Sequence, residues 1–454
     1  MARSLGQSDI EEKLVDFALR VAHGEVPDEV SKRAKLIMAD TLACVIRGYR
    51  TDYIRSVSRR FRSDVGVANL ISTHAKAVPG AAALLNSSAG TVLELDEGHR
   101  VGGSHMAVQG LPAAIAVGQA NNIGGRQLVR AFVAGYEVGV RVGWSLKPLR
   151  RGLHTHGTWA AVGAAVSSAL AQPEIDRATV LQSIRIACNT AHSTTWKSAH
   201  EGALVRNFYA GLASMSGVIA NAMASEGVTG PADAISSALA PAVSSTGDLQ
   251  RDPTEGLGER FMMLSNYFKK YPCCGYTHSL VEALGKVRVD STTDIERVDI
   301  RTFGEAAALG NSKPVNSLAA KFSIPYIVSN YFLYKELTIS TFDEASVQRD
   351  AWRELASRVH VNIDEKMEAR YPQEWGTELD VVLKDGSVLH SACQNANVVT
   401  EEELRTKFGK TLAGVLTEES MSNLWLQVQK LENLGSINEL MTIVEDSVAD
   451  DYFS

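Results

Sequence analysis

The spacing of apolar residues along the chain changes at about residue 270. Before this point, apolar and small residues recur every three or four positions, which predicts helices that bury one face or every face. Segment 28–50 is the clearest amphipathic pattern, and segments 111–120 and 157–171 predict buried helices rich in alanine and glycine. After this point, segments 296–302 and 358–363 alternate polar and apolar residues, as half-buried strands do.

The mixed pattern continues to about residue 398. Segment 377–388 predicts two strands joined at Asp385-Gly386, because this dipeptide favours the tight turn of a hairpin. Four further segments have helical spacing, namely 323–337, 342–357, 401–408 and 418–432.

These patterns predict a mostly α fold, in which a large all-α helical domain contains a smaller inserted α+β domain. The predicted helical domain is discontinuous and comprises residues 1–268 and 400–454, and the predicted α+β domain comprises residues 269–399.

Three glycines, Gly135, Gly139 and Gly143, recur every four residues and share one face of a predicted helix. Glycine costs about 1 kcal/mol relative to alanine in a helix interior, so this usage needs a reason. Small residues on one face allow two helix backbones to approach closely. The aromatic content of only 7% agrees with a core of closely packed helices.

Composition and charge limit the classes of protein to which this chain can belong. The net charge of -7, from 45 basic and 52 acidic residues, argues against a general nucleic-acid binder. Five cysteines do not form a disulfide framework, which favours a reducing compartment. The first residues carry acids and no apolar run, unlike a signal peptide or presequence, and no window has about 18 uncharged apolar residues. We therefore expect a soluble, cytoplasmic protein without a membrane anchor.

The densest group of polar residues lies between two apolar, small-residue segments, at 94–105. Its glycines allow sharp turns and a close approach to a ligand. The alternative is a solvated interhelical loop. The chemically capable residues are Glu94, Asp96, Glu97, His99, Arg100 and His105.

Segment 154–158 holds His154 and His156 at a predicted helix start. This pair is compatible with zinc if Asp96 is a third ligand, with anion binding or acid–base work, or with structural capping. Thr158 follows directly.

Two more segments carry cations. Segment 266–278 contains Lys269, Lys270 and His278 at the predicted domain boundary, where clefts tend to form, although a basic linker and turn is the alternative. Arg206 lies among small and apolar residues, which is typical of an arginine that binds a carboxylate of a ligand or of the protein itself. No nucleotide-binding motif occurs, so we expect no nucleotide cofactor. The remaining carboxylates, histidines and lysines suit proton transfer next to a carboxylate.

The chain resembles the MmgE/PrpD family, which includes 2-methylcitrate dehydratase, cis-aconitate decarboxylase and iminodisuccinate epimerase. The resemblance covers nearly the whole chain and rests on five motifs in order: LELDEGHR with His105, GLHTHGTW, VRNFYAG, FKKYPCCGYTH and AKFSIPY. It implies a helical domain with an inserted α+β lid, an activity that needs no metal or nucleotide, and assembly as a homodimer.

The resemblance also implies site residues. The acids match an acidic family motif, His105 and His154 match family histidines, Lys269 matches the lysine before the Tyr-Pro pair, and Tyr326 matches the tyrosine of FS-x-P-Y. Gly98 replaces a threonine, Met106 replaces a proline, and Arg206 replaces a lysine of decarboxylase-like members. The expected catalytic residues are Glu94, Asp96, His105, His154 and Lys269; the expected substrate-binding residues are His99, Thr158, Arg206, Lys270, His278 and Tyr326.

The sequence thus predicts a cofactor-independent enzyme acting on a small di- or tricarboxylate. Dehydration is the leading outcome, and epimerisation or decarboxylation are alternatives. A metal-dependent hydrolase built on His154, His156 and Asp96, or a non-catalytic homologue, are the other classes. The late arginine-rich segment of methylcitrate dehydratases is replaced by 394–397 (QNAN), which suggests a smaller or less charged substrate.

Overall fold

Helices dominate the structure, as the apolar spacing predicts. A computed structural model of the chain describes residues 8–448 and is 57% helical. The α-helices are α1 Ser8–His23, α2 Asp28–Gly48, α3 Asp52–Phe61, α4 Pro79–Thr91, α5 Met106–Asn121, α6 Gly125–Ser145, α7 Ala160–Leu170, α8 Arg177–Thr190, α9 Lys197–Glu201, α10 Tyr209–Ser225, α11 Ala240–Val243, α12 His278–Leu284, α13 Gly304–Ala307, α14 Ser317–Lys321, α15 Ile324–Tyr334, α16 Glu344–Val347, α17 Arg353–Ala356, α18 Glu365–Glu368, α19 Glu401–Leu412, α20 Glu418–Gln429 and α21 Ile437–Asp446.

Helix α7 lies at the centre of the helical region and packs against α5, α6, α8 and α10. Its residues are all small or apolar and all buried, which suits a helix surrounded on every side. The glycines of α6 make the closest of these contacts possible. A Cβ atom on Gly135 would lie 1.9 Å from Ser167 Oγ and 2.5 Å from the Gly163 carbonyl oxygen. The predicted close approach of two helices is therefore confirmed.

The strands after residue 270 lie where the alternating pattern predicts them, and two short strands before it were not predicted. The strands are β1 Ala68–Leu70, β2 Ala75–Ala77, β3 Ile295–Thr302, β4 Val359–Ile363, β5 Thr377–Leu383 and β6 Val388–Cys393. Strands β1 and β2 form a small antiparallel pair. The other sheet has the order β4-β3-β5-β6; β3 and β4 are parallel, and the other pairs are antiparallel. Gly386, at φ 87°, takes the left-handed backbone conformation in the predicted β5–β6 turn.

The predicted helix over 342–357 is wrong in part. Only α16 and α17, of four residues each, are α-helical there. Asp343 caps α16 by accepting a hydrogen bond from the Ser346 amide. The indole nitrogen of the buried Trp352 donates to the Val347 carbonyl oxygen, so the carbonyl at the end of α16 bonds a side chain. The chain turns between the two short helices.

The buried apolar residues fall into several clusters. The largest draws on residues 10–268 and again on 399–448, so α19 to α21 pack with the first helices. Three smaller clusters consist mainly of residues 273–381. The mostly α fold is confirmed, whereas the domain boundaries near 268 and 400, and the action of the inserted part as a lid, stay predictions. Among the described helices none has both the length and the apolar character of a membrane span.

Candidate active site

Four separate segments bring six predicted site residues into one buried cluster. The loop after α4 carries Glu94, Asp96 and His105. His154 directly precedes the short 3₁₀-helix Thr155–Gly157, Arg206 lies in the 3₁₀-helix Leu204–Phe208, and segment 266–274 carries Lys269. The six residues, called the buried cluster below, are Glu94, Asp96, His105, His154, Arg206 and Lys269. All but His105 are at most 3% exposed, and the His105 side chain is 14% exposed.

Glu94 is held by two cations. Its Oε2 lies 2.6 Å from Arg206 Nη2, and its Oε1 accepts a hydrogen bond of 2.5 Å from Lys269 Nζ. Burial alone would raise the pKa of Glu94, but attraction to Arg206 and Lys269 outweighs it and holds this pKa well below the usual range. Burial would lower the pKa of Lys269, but Glu94 and then Asp96 raise it above its usual value. Glu94 and Lys269 are therefore charged at neutral pH.

Asp96 orients His105. The carboxylate Oδ2 lies 2.8 Å from His105 Nδ1, and Lys269 Nζ lies 3.8 Å from Oδ1 of the same carboxylate. An aspartate on Nδ1 favours the tautomer whose Nδ1 carries the proton, and it stabilises the imidazolium once Nε2 is protonated. His105 Nε2 is thus available to take or to deliver a proton.

His154 and His156 lie beside His105 but are held neutral. The ring centroids of His156 and His105 are 4.4 Å apart, and those of His154 and His156 are 4.6 Å apart. Burial, together with Arg206 for His154 and His105 for His156, lowers both pKa values well below the usual range. Arg206 Nε lies 3.4 Å from His154 Nε2, and the His156 amide lies 3.2 Å from its Nδ1, so His154 has donors on both sides.

A further cation, Lys321, belongs to this site and was not predicted. It lies at the end of α14, is 6% exposed, and donates to the Val92 carbonyl oxygen and to Ser317 Oγ. Burial lowers its pKa to about 8, and Glu94, Arg206 and Lys269 are among the charges that act on it. A lone lysine in an otherwise apolar segment, the signal that singled out Arg206, also marks Lys321.

Glu97 has a structural role next to the cluster. It accepts hydrogen bonds from the Ala107 amide at the start of α5, from Tyr136 Oη and from Asn266 Nδ2. Burial raises the pKa of Glu97 to about 7. Its partners tie the loop after α4 to helices α5 and α6, which fixes the positions of Asp96 and His105.

Three expected substrate-binding residues lie outside the buried cluster. His99 Nε2 lies 2.8 Å from the Met262 carbonyl oxygen and its Nδ1 accepts from the Gly102 amide; burial lowers its pKa to about 4. Thr158 donates to the Thr155 carbonyl oxygen. Tyr326 donates to the Thr341 carbonyl oxygen and packs against Trp352 in the α+β region. Each of these polar groups is engaged with the protein itself, and that they bind substrate stays a prediction.

Lys270 and His278 are also apart from the cluster. Both line a cleft of about 360 Å³ between the helical and α+β regions, together with Arg33, Arg100 and Trp375. Successive side chains of one segment therefore point in different directions, because Lys269 reaches the buried cluster whereas Lys270 lines the cleft. Burial and Lys269 lower the pKa of His278 to about 3, so its ring is neutral.

The geometry gives little support to a zinc site. Over residues 8–448, no three His, Cys, Asp or Glu side chains converge as metal ligands do. Arg206 borders His154, and His105 takes Asp96 as its partner. A cation beside the proposed ligand would repel a second cation.

Comparison with known proteins supplies the family. The family model described as the MmgE/PrpD N-terminal domain matches residues 12–244, and that of the MmgE/PrpD C-terminal domain matches residues 271–433. The chain belongs to the MmgE/PrpD family. The resemblance seen in the sequence motifs is thereby confirmed.

Relatives with curated names within the MmgE/PrpD family include decarboxylases. The chain is 24% identical to a cis-aconitate decarboxylase of Aspergillus terreus (strain NIH 2624 / FGSC A1156), over 97% of each chain. It is 22% identical to a cis-aconitate decarboxylase-like protein of Aspergillus oryzae (strain ATCC 42149 / RIB 40), over 97% of this chain and 98% of the relative. A human cis-aconitate decarboxylase is 24% identical over 39% of each chain.

The departures from the MmgE/PrpD motifs have structural counterparts. A Cβ atom on Gly98 would lie 2.6 Å from Tyr267 Oη and 2.7 Å from its Cζ, so the ring of Tyr267 requires the glycine. Met106 is fully buried, and its sulfur would lie 2.5 Å from a Cβ on Gly139. Arg206 reaches Glu94 directly, as described above. These replacements are packed and paired, and they leave the Asp96–His105 contact intact.

Proposed function

We propose that the protein is a cofactor-independent lyase that acts on a small di- or tricarboxylate, with proton transfer by His105 at a carbon next to a carboxylate. The observation that carries this proposal is the pairing of His105 with Asp96 beside two buried cations. Such a site stabilises negative charge on the substrate, and it holds a proton carrier whose tautomer is set.

The charges of the site favour a dianionic substrate. Glu94 and Asp96 balance Arg206 and Lys269, and Lys321 adds one positive charge. Protonated His105 would add a second. A dicarboxylate would neutralise both, and buried charges are tolerated only when they are paired.

We infer decarboxylation as the outcome best matched to these residues. His154 and His156 are neutral, and Arg206 is bound to Glu94, which leaves His105 as the main proton carrier. Decarboxylation needs only one proton. The bond to the leaving carboxylate breaks, its electron pair passes to the α-carbon and into a second, conjugated carboxylate, and carbon dioxide departs. His105 Nε2–H then protonates the carbon. The names of the Aspergillus relatives support this outcome.

Dehydration is the second candidate. It requires a base to remove the proton next to the carboxylate and an acid to protonate the departing hydroxyl group. His105 would be the base. Lys321, whose pKa is lowered to about 8 by burial, is the cation best able to give up a proton near neutral pH. Epimerisation would use the same first step, with return of the proton to the opposite face.

The test is incubation of the protein with unsaturated and hydroxylated di- and tricarboxylates in D2O, followed by NMR and by measurement of released carbon dioxide. Decarboxylation releases carbon dioxide and places deuterium on the α-carbon; dehydration yields an alkene without carbon dioxide; epimerisation leaves a deuterated acid of unchanged composition. If none of the three occurs with any such acid, the proposed activity is wrong and a non-catalytic homologue is the better reading.

The role of His105 is tested by His105→Gln, which should lower kcat by at least about 100-fold and preserve the fold. His390→Gln is a matched control, because His390 Nδ1 lies 2.7 Å from Asp380 in another His–Asp pair at the protein surface. Equal activity of the two variants would contradict the assignment.

The expectations of a cytoplasmic location and a homodimer belong to the same proposal. Light scattering of the purified protein would measure the oligomeric state.

A further inference from the structure

The cleft between the helical and α+β regions is lined by cations that the proposed reaction does not use. Its volume is about 360 Å³, and none of its lining residues belongs to the buried cluster. Arg33, Arg100 and Lys270 contribute positive charge, and Glu282 contributes one negative charge. The cleft therefore carries a net charge of about +2 in a protein whose formal charge is -7.

The two arginines of the cleft are held in place by neutral groups, whereas Lys270 Nζ lies 3.4 Å from a carboxylate oxygen of Glu403 and 3.9 Å from one of Glu282. Arg33 donates from Nε and Nη2 to the side-chain and main-chain oxygens of Asn266. Arg100 donates from Nη1 to Asn395 Oδ1, and its guanidinium lies 4.6 Å from the ring centroid of Trp375. These partners orient the two guanidinium groups without neutralising their charge. A guanidinium has five N–H donors, so both arginines retain donors for a ligand.

A second observation points to a ligand. Trp375 lines the cleft and is 8% exposed, and within residues 8–448 its indole N–H has no hydrogen-bond acceptor. A buried donor without an acceptor costs free energy, so such groups usually meet water or a ligand. The amide side chains of Asn395 and Asn397 line the same cleft.

The geometry points to a second binding site, in which Arg33, Arg100, Lys270 and the indole N–H of Trp375 take a small polycarboxylate between the two regions. The two planar guanidinium groups match carboxylates, and the cleft is wide enough for an anion larger than phosphate. An occupant would contact Arg100 of the helical region and Trp375 of the α+β region together. The site does not depend on the proposed reaction.

The experiment is a titration of the full-length protein with citrate, followed by calorimetry and by tryptophan fluorescence. We expect two citrate molecules per chain, one of which changes the emission of Trp375. Arg100→Gln should weaken that binding by at least about tenfold, and Lys270→Gln, at a half-exposed position that the fold tolerates, should weaken it by about threefold. Trp375→Phe should remove the fluorescence change while heat is still released.

Arg353→Gln is a matched control, because Arg353 also lies over a tryptophan, 4.7 Å from the Trp352 ring, and pairs with Asp350, but does not line the cleft. It should leave both binding events unchanged. Arg206→Gln should abolish only the binding of citrate at the buried cluster. A single citrate per chain that is lost in Arg206→Gln overturns the inference, as does phosphate binding as tightly as citrate at the Arg100-sensitive site. Binding that Arg100→Gln weakens and Arg206→Gln leaves unchanged would sustain the inference even if the proposed reaction is wrong.

Discussion

Replacement of Glu94 by glutamine tests the central arrangement of the site. Glu94→Gln keeps the shape of the side chain but leaves Arg206 and Lys269, two buried cations, with no full anion between them. Unit charges about 4 Å apart interact by about 4 kcal/mol at an effective dielectric constant near 20, and removal of one partner from a buried pair typically costs about 3–5 kcal/mol. We therefore expect the free energy of unfolding to fall by about 3–5 kcal/mol.

The same change should strengthen the binding of an anion. A substrate carboxylate in Glu94→Gln meets cations that are no longer neutralised, so a dicarboxylate should raise the melting temperature more in the variant than in the parent protein. Denaturant titrations would measure the loss of stability, and thermal unfolding with and without succinate would measure the gain in binding. Glu137→Gln is the control, because it breaks the buried Glu137–Arg141 pair, 2.8 Å apart, away from the cluster. It should lose stability without any gain in succinate binding.

The pH dependence has a definite sign. The pKa of Glu94 is lower in the folded protein than in the unfolded chain, where a glutamate titrates near 4.3. Its contribution to stability is therefore fully present above about pH 4.3 and is lost as pH falls toward the folded value. The difference between Glu94→Gln and the parent should shrink below about pH 4. Equal stability of the two proteins at pH 7, or a difference that grows on acidification, would refute the reasoning.

Three other predictions follow from the same contacts. The ratio kcat/KM should fall above about pH 8 as Lys321 loses its proton, and Lys321→Arg should remove this fall. Burial also lowers the pKa of Lys147 to about 8, so Lys147→Arg is the control and should leave the pH profile of kcat/KM unchanged. Gly135→Ala should lower the free energy of unfolding, measured by denaturant titration, by about 1–3 kcal/mol because the new Cβ would collide with α7. Gly409→Ala is the control: its Cβ would meet no atom within 4 Å, so the free energy of unfolding should rise by about 0.5–1 kcal/mol. Tyr326→Phe should cost about 1 kcal/mol of stability and change kcat/KM less than twofold.

Local spacing carries most of the information about the secondary structure. Helix α2 and strands β3 and β5 are predictable because their apolar residues recur with one period, and α7 is predictable because it is small or apolar throughout. Segment 342–357 has apolar residues at helical spacing, but the chain turns between α16 and α17, where the Trp352 indole donates to the Val347 carbonyl oxygen. Such a contact between side chain and backbone leaves no period in the sequence.

The residues of the site divide in the same way. Glu94, Asp96 and His105 are recognisable because charged groups between two apolar segments need a reason. The direction in which a side chain points is set by the course of the backbone, so the sequence does not separate Lys269, in the buried cluster, from Lys270, in the cleft. It likewise does not reveal that the hydroxyl of Tyr326 is already bonded to the protein.

Gly98 and Tyr267 bear on any attempt to transplant a site between relatives. The two residues exchange a pair of main-chain hydrogen bonds, of 3.0 and 2.8 Å, and the phenol ring fills the space above the glycine. A threonine introduced at position 98 alone would collide with that ring. Positions 98 and 267 therefore have to be exchanged together. A chimera that exchanges only the acidic loop would fail for steric reasons unrelated to its chemistry.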